Sequence, residues 1–135
     1  MAKLVLTDVS VVINSVTLSD HVASVTLSTE VAEIGTTAFG DTAQTRVGGL
    51  RDNSVQIDFL QDFAASNVEA TIYPLIGSTT TVVVKPTSGA VSATNPSYTF
   101  SALITSWTPV AGAVGELATA SVTWPISGAI TKATS

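Results

Sequence analysis

The chain has no cysteine, one histidine and few charges: 11% of its 135 residues are Asp, Glu, Lys or Arg. Without cysteine there is neither a disulfide framework nor a thiolate metal site, and the redox compartment stays undetermined. Basic residues are scarcer still, five against ten acidic ones, for a net charge of −5. A sequence pI of about 4.4 argues against nucleic-acid affinity, because phosphate binding depends on clustered Lys and Arg. Long apolar runs are missing too. The strictly apolar stretches, such as Val82 to Val84, fall far short of the roughly 20 residues that span a bilayer. The opening MAKLVLTDVSVV has no continuous apolar core of signal length, so neither secretion nor membrane insertion is expected.

Catalytic motifs are equally absent. There is no G-x-S-x-G elbow, and Gly48-Gly49 is not followed by Lys-Ser or Lys-Thr, which removes a phosphate loop. His21 is expected at a strand edge with Asp20 pointing to the opposite face. Asp58 and Asp62 lie four apart, but Asp58 reads as strand, so a shared metal site is not expected. No enzyme, no cofactor and no metal are implied. Charge this sparse, where about 25% is typical, leaves a lone domain little to oppose association and points to a surface covered by partners.

What is present is apolar and β-forming. With 45% hydrophobic residues and a mean hydropathy of +0.46, the chain is not disordered, and residues 1–135 suit one domain with a real core. Ser and Thr make up roughly a quarter of it and, with Val, favour strands over helices. Leu4 to Ile13 is dense in β-branched residues. Val22 to Val31 alternates, with Ala23, Val25 and Leu27 opposite Ser24, Thr26, Ser28 and Glu30. Asn14-Ser15 between them suggests a hairpin. Ser54 to Leu60, Thr79 to Lys85, Tyr98 to Ile104 and Leu117 to Ile126 complete six predicted strands, most with one wet face. Trp107 and Trp124 fall on strands as core or subunit-contact anchors.

Two segments depart from the period of two. In SNVEATIYPLIG, Ser66 and Glu69 have capping-box spacing, and Val68, Ile72 and Leu75 share one face. Gly77 suits a left-handed cap, and Pro74 should fray the helix near Tyr73. Residues 32–50, AEIGTTAFGDTAQTRVGGL, read as a long Gly-containing loop with a lone aromatic, Phe39. Loops of this length are usually binding elements or disordered.

TTAFGDTAQTRVGGLRD and DFLQDFAASNVEATIYPLIG, followed by TTTVVVKP and SVTWPISG, resemble the major tail (tail tube) proteins of long-tailed, siphovirus-type phages, especially of actinobacterial hosts. The resemblance spans essentially the whole chain. It implies an antiparallel β-sandwich or open barrel, the tail-tube fold, flanked by one short helix. It also implies subunits that assemble with copies of themselves, typically as hexamers, into rings stacked as a tube. It implies further that DNA passes through without specific binding, that other tail proteins meet the tube ends, that no membrane takes part and that the virion is assembled in the host cytoplasm. Related folds occur in the inner tubes of contractile tails and of type VI secretion systems.

On this resemblance the loop 32–50 and the terminal arms 1–3 and 131–135 are inter-subunit elements. Phe39 would be the apolar anchor of the loop, with Asp41, Arg46 and Arg51 as its charged contacts. The wet faces of the second and third strands, Ser24, Thr26, Ser28, Glu30, Gln56 and Asp58, are the lumen-facing candidates. Six copies at −5 would carry −30 per ring, a like charge that keeps DNA from adhering. The carboxylates are therefore expected to favour the bore. Alternatives are another virion ring or surface protein (a head-tail connector, a tail terminator or a decoration protein) or a monomeric carbohydrate-binding sandwich using Trp107, Trp124 and Tyr98.

Overall fold

β-Branched and alternating segments form seven strands in the computed structural model, which describes residues 3–135. They are β1 (Ser10–Ile13), β2 (Val16–Thr17), β3 (Val22–Gly35), β4 (Arg46–Leu60), β5 (Thr79–Lys85), β6 (Ser97–Leu103) and β7 (Thr119–Ala133). All pair antiparallel in one sheet of order β2-β1-β5-β6-β7-β4-β3, which does not close. The expected mainly-β sandwich or open barrel with one short helix is the fold observed.

β7 folds the sheet on itself. Its first half, Thr119 to Pro125, pairs with β4; from Ile126 onward it pairs with β6. Pro125 lacks an N–H for a further ladder bond, and Gly128, at φ +91°, takes up a register shift opposite Thr99–Ser101. The two halves then face each other across one core. Val11, Ile13, Val82, Phe100 and Ala102 come from one side, and Val55, Ile57, Phe59, Val122 and Trp124 from the other. Burying such a side chain contributes about 1.5–3 kcal/mol. Phe59 lies edge-on to Trp107, centroids 5.6 Å apart, and tilted against Trp124 at 6.1 Å. Trp124 satisfies its indole N–H on Ser106 O at 2.8 Å.

Several local expectations change. Of the first predicted strand only Ser10 to Ile13 forms a ladder, Asp8 makes a single bridge to Thr87, and Leu4, Val5 and Leu6 are exposed. Asn14 (φ 50°) and Ser15 (φ 66°) do make a tight left-handed turn. It joins β1 to the short β2 rather than to β3, which pairs with β4. Ser19–His21 is a 3-10 turn, so Asp20 and His21 do not take opposite faces. Trp107 lies outside the strands. Residues 131–133 are no free arm; they pair with β6 because the shift at Gly128 lets β7 continue. Of the arm 1–3, Met1 and Ala2 lie outside the described residues.

About half of the segment 32–50 is strand. β3 runs to Gly35 and β4 starts at Arg46, leaving 36–45 as the connection. Beyond Asn53 the two strands continue without a third partner as a two-stranded arm. Gly49 lies at the register shift of this ladder, where a Cβ would come within 2.7 Å of Ile34 Cδ1.

Helix α1 (Val68–Ile72) adds Val68 and Ile72 to the core at the Leu60 end of β4. The capping box does not form. Ser66 sits at φ +65°, Asn67 is the N-cap but its side chain donates to Asp62 rather than capping the helix, and the Glu69 carboxylate accepts from Trp107 Nε1 at 2.7 Å. At Pro74 the α-helix gives way to a 3-10 turn, Tyr73–Leu75, and Gly77 takes φ +87°.

The approach to α1 is pinned by His21. Its Nε2 lies 2.8 Å from Asp62 and its Nδ1 2.9 Å from Asp20. Carboxylates only accept, so both contacts are satisfied together only by the imidazolium. Burial opposes that charge, but the hydrogen bonds to Asp62 and Asp20 outweigh it and raise the His21 pKa above its ordinary value. Asp62, bonded first by the Ala64 N–H and then by His21, is held below the usual carboxylate range. The raised pKa contributes stability that is complete below the unfolded value of about 6.5 and fades as pH rises through the folded one; that of Asp62 is present above about 3.9 and fades in acid. Thermal melts of the parent should therefore fall between about pH 6 and pH 8, and His21→Gln should flatten that decline. In the core, Phe59→Ala should cost about 3–5 kcal/mol in urea denaturation.

Candidate functional site

Alternation in β3, β4 and β7 turns one face inward and leaves the other polar. The registers align Ser24 with Asp58 and Ser121, Thr26 with Gln56 and Thr123, Ser28 with Ser54 and Pro125, and Glu30 with Asp52. All six residues expected to face a lumen, Ser24, Thr26, Ser28, Glu30, Gln56 and Asp58, thus share one face, three-stranded up to Ser54 and two-stranded at Glu30. β7 completes it, and Asp52 joins it. The alternation of β7 was readable in the sequence, but its pairing with β4 was not.

The charges on this face are all negative. Asp58 accepts hydrogen bonds from Ser121 Oγ and, at 2.6 Å, from Ser24 Oγ. Those two hydroxyls, Ser121 foremost, hold its carboxyl below the usual range and keep it ionised. Glu30 and Asp52 stand directly opposite each other, an arrangement that costs stability in a sheet. No lysine or arginine occupies any of these positions. Three of the ten acidic residues are here. The expected concentration of carboxylates extends no further, because Asp20 and Asp62 hold His21, Glu69 accepts from Trp107, and Asp8 accepts from Ser88. Glu33 pairs with Arg46, Asp41 closes a turn, and Glu116 accepts from the Ala113 N–H.

At the end of the arm the backbone is well tied. Thr36 N–H donates to Thr45 O at 2.9 Å, and their hydroxyls meet at 2.7 Å. Ala38 N–H donates to Asp41 Oδ2 at 2.7 Å, Asp41 N–H returns to Ala38 O at 3.1 Å, and Gly40 takes φ +93°. This turn presents Phe39 fully to solvent. Arg46 is engaged within its own arm, by Glu33 and Gln44, whereas Arg51 lies at the base of the arm beside an apolar cleft. Trp124 is completely buried and is no part of an exposed aromatic platform.

No family model matches the chain, and no curated protein does either. Solved structures do. The chain resembles a component of the virion of a native gene transfer agent particle, with a TM-score of 0.74 and 15% identity over 93% of this chain and 95% of the other. It resembles a component of the tail of an empty gene transfer agent particle refined with C6 symmetry, with a TM-score of 0.60 and 16% identity over 82% and 81%. A component of the six-fold symmetrised baseplate of an anti-feeding prophage gives 0.53 and 7% identity over 98% and 97%. What the chain has in common with these components is the fold.

Proposed function

We propose that this chain is a structural, non-enzymatic subunit of a phage tail. Copies of it form six-membered rings that stack into a tube, and the polar face of β3, β4 and β7 lines the bore. The observation that carries this reading is the uniformly acidic face. Placing Glu30 opposite Asp52 serves no stabilising purpose in a monomer, but a wall without cations offers DNA phosphates nothing to bind. The fold shared with gene transfer agent virion and tail components supports it, as does the C6 symmetry of that tail. The quoted motifs favour a long-tailed phage of an actinobacterial host, with assembly in the host cytoplasm and residence in the virion.

The free edge of β3 and the exposed Phe39 fit the same picture. An open 14-residue edge is an aggregation hazard unless copies cover it, and Phe39, Leu50 and Val47 are exposed on the arm beside it. The likeness to a baseplate component favours, as second reading, another ring at the end of a tail.

Negative-stain microscopy of the purified protein should show hollow tubes. Isolated rings would favour the second reading, and persistent monomers at high concentration would overturn both. The double variant Glu30→Lys and Asp58→Lys should still form tubes but slow or block DNA ejection, and normal ejection would remove the bore assignment. Replacing residues 36–45 by a two-glycine turn should leave far-UV circular dichroism unchanged while abolishing ring closure or stacking; intact tubes would refute the role of the arm.

A further inference from the structure

The two halves of the sheet diverge at the Asn53 end of β4 into an apolar cleft of about 770 Å³, floored by residues such as Leu27, Val84, Ile126 and Ile130. Around it stand Arg51, Lys85 and Lys132, three of the five basic residues of the chain. Among the described residues no acidic side chain lines it, and none of the three cations has an ion-pair partner. In a chain with twice as many acidic as basic residues, an apolar floor with an uncompensated cationic rim calls for a ligand that is apolar and acidic together.

The end of the arm has that chemistry. Phe39 is fully exposed two residues before Asp41. The turn is held by the Ala38–Asp41 hydrogen bonds, so little conformational freedom is lost when it docks. One Asp41 oxygen is taken by the Ala38 N–H, which leaves the other for a cation. The ladder from Arg51 to Arg46 is extended and, apart from one bulge at Gly49–Leu50, paired, which places the tip about 20 Å beyond the base of its own arm. The cleft beside Arg51 is therefore beyond reach of the same chain's Phe39. We infer that the cleft receives the arm tip of a second copy, with Phe39 on its apolar floor and Asp41 among Arg51, Lys85 and Lys132. This rests on the tube reading and deepens it, since it gives the arm a specific receptor on the neighbouring subunit.

The absence of native cysteine makes a direct test available. Ala38→Cys and Ala129→Cys are changes at exposed positions, the first beside a retained Phe39 and the second on the cleft wall. Under mild oxidation the double variant should form disulfide-linked chains between copies, because docking brings the two sulfurs within bonding range. The yield should exceed by roughly ten-fold that of Ala38→Cys with Thr123→Cys, which lies on the polar face. Adding Asp41→Lys to the first pair should cut its yield several-fold. Three results would overturn the inference: a yield no greater than in the Thr123 pair, no loss on adding Asp41→Lys, or a greater yield from Val114→Cys with Ala129→Cys, which would give the cleft to the exposed loop around Val114. Tubes of the parent without the cross-link would reject the docking and keep the tube. A parent that stays monomeric would reject the tube, and the cross-link yield would still decide the docking.

Discussion

Everything in this molecule depends on one strand having two neighbours. β7 gives its first seven residues to β4 and the rest to β6, and the change of partner bends a single sheet into two facing layers. A backbone N–H or C=O left unpaired in that bend would cost about 1–3 kcal/mol if buried. The sequence meets the difficulty with Pro125, which has no N–H to leave unpaired, and Gly128, which tolerates the bulge conformation. Asn53 reinforces the same place from across the layers, donating from Nδ2 to Gly128 O at 3.1 Å. The bend also has a cost in coverage. Past Asn53, β4 has lost β7, so the β3–β4 ladder runs on alone as the arm, and the space that a third strand would have filled becomes the cleft.

Charge is distributed with the same economy. Most of the carboxylates are spent locally on turns, on a tryptophan N–H or on His21. What remains divides the surface into an acid-only strand face and a cation-rimmed cleft. These two surfaces differ in sign and in polarity, so one cannot substitute for the other in contact with a copy. A domain with few charges can still discriminate among partners when the few it has are segregated in this way.

The parts of this legible in the sequence were those governed by local period. Val25 and Leu27 opposite Ser24 and Thr26, the limits of β5, the fraying at Pro74 and the left-handed Gly77 all follow from nearest neighbours along the chain. Partner choice did not. Asn14-Ser15 carries a true turn signal, yet the strand it begins ends after two residues, because a 3-10 turn held by the Val11 N–H to Ser19 Oγ bond intervenes. Gly48 and Gly49 read as loop residues; in the arm they are where cross-strand Val31 and Ile34 lie over the backbone. The cleft was invisible for the same reason, since Arg51, Lys85 and Lys132 converge only through the order of the strands.

The unequal ends of the sheet carry a last consequence. One boundary is the two-residue β2 and the other is the 14-residue β3. If two copies met through β3 on both sides, the contact would be two-fold symmetric and growth would stop at a pair. β2 is too short to accept β3 along its length. Cyclic order therefore needs β3 to meet a different surface of its neighbour, and any tendency of β3 to pair with itself competes directly with ring closure. The bulge in β3 at Ala23 and the one in β4 at Gly49–Leu50, opposite Ala32, break the straight register, put a kink near each end of that edge and handicap the dead-end dimer that would compete with a ring.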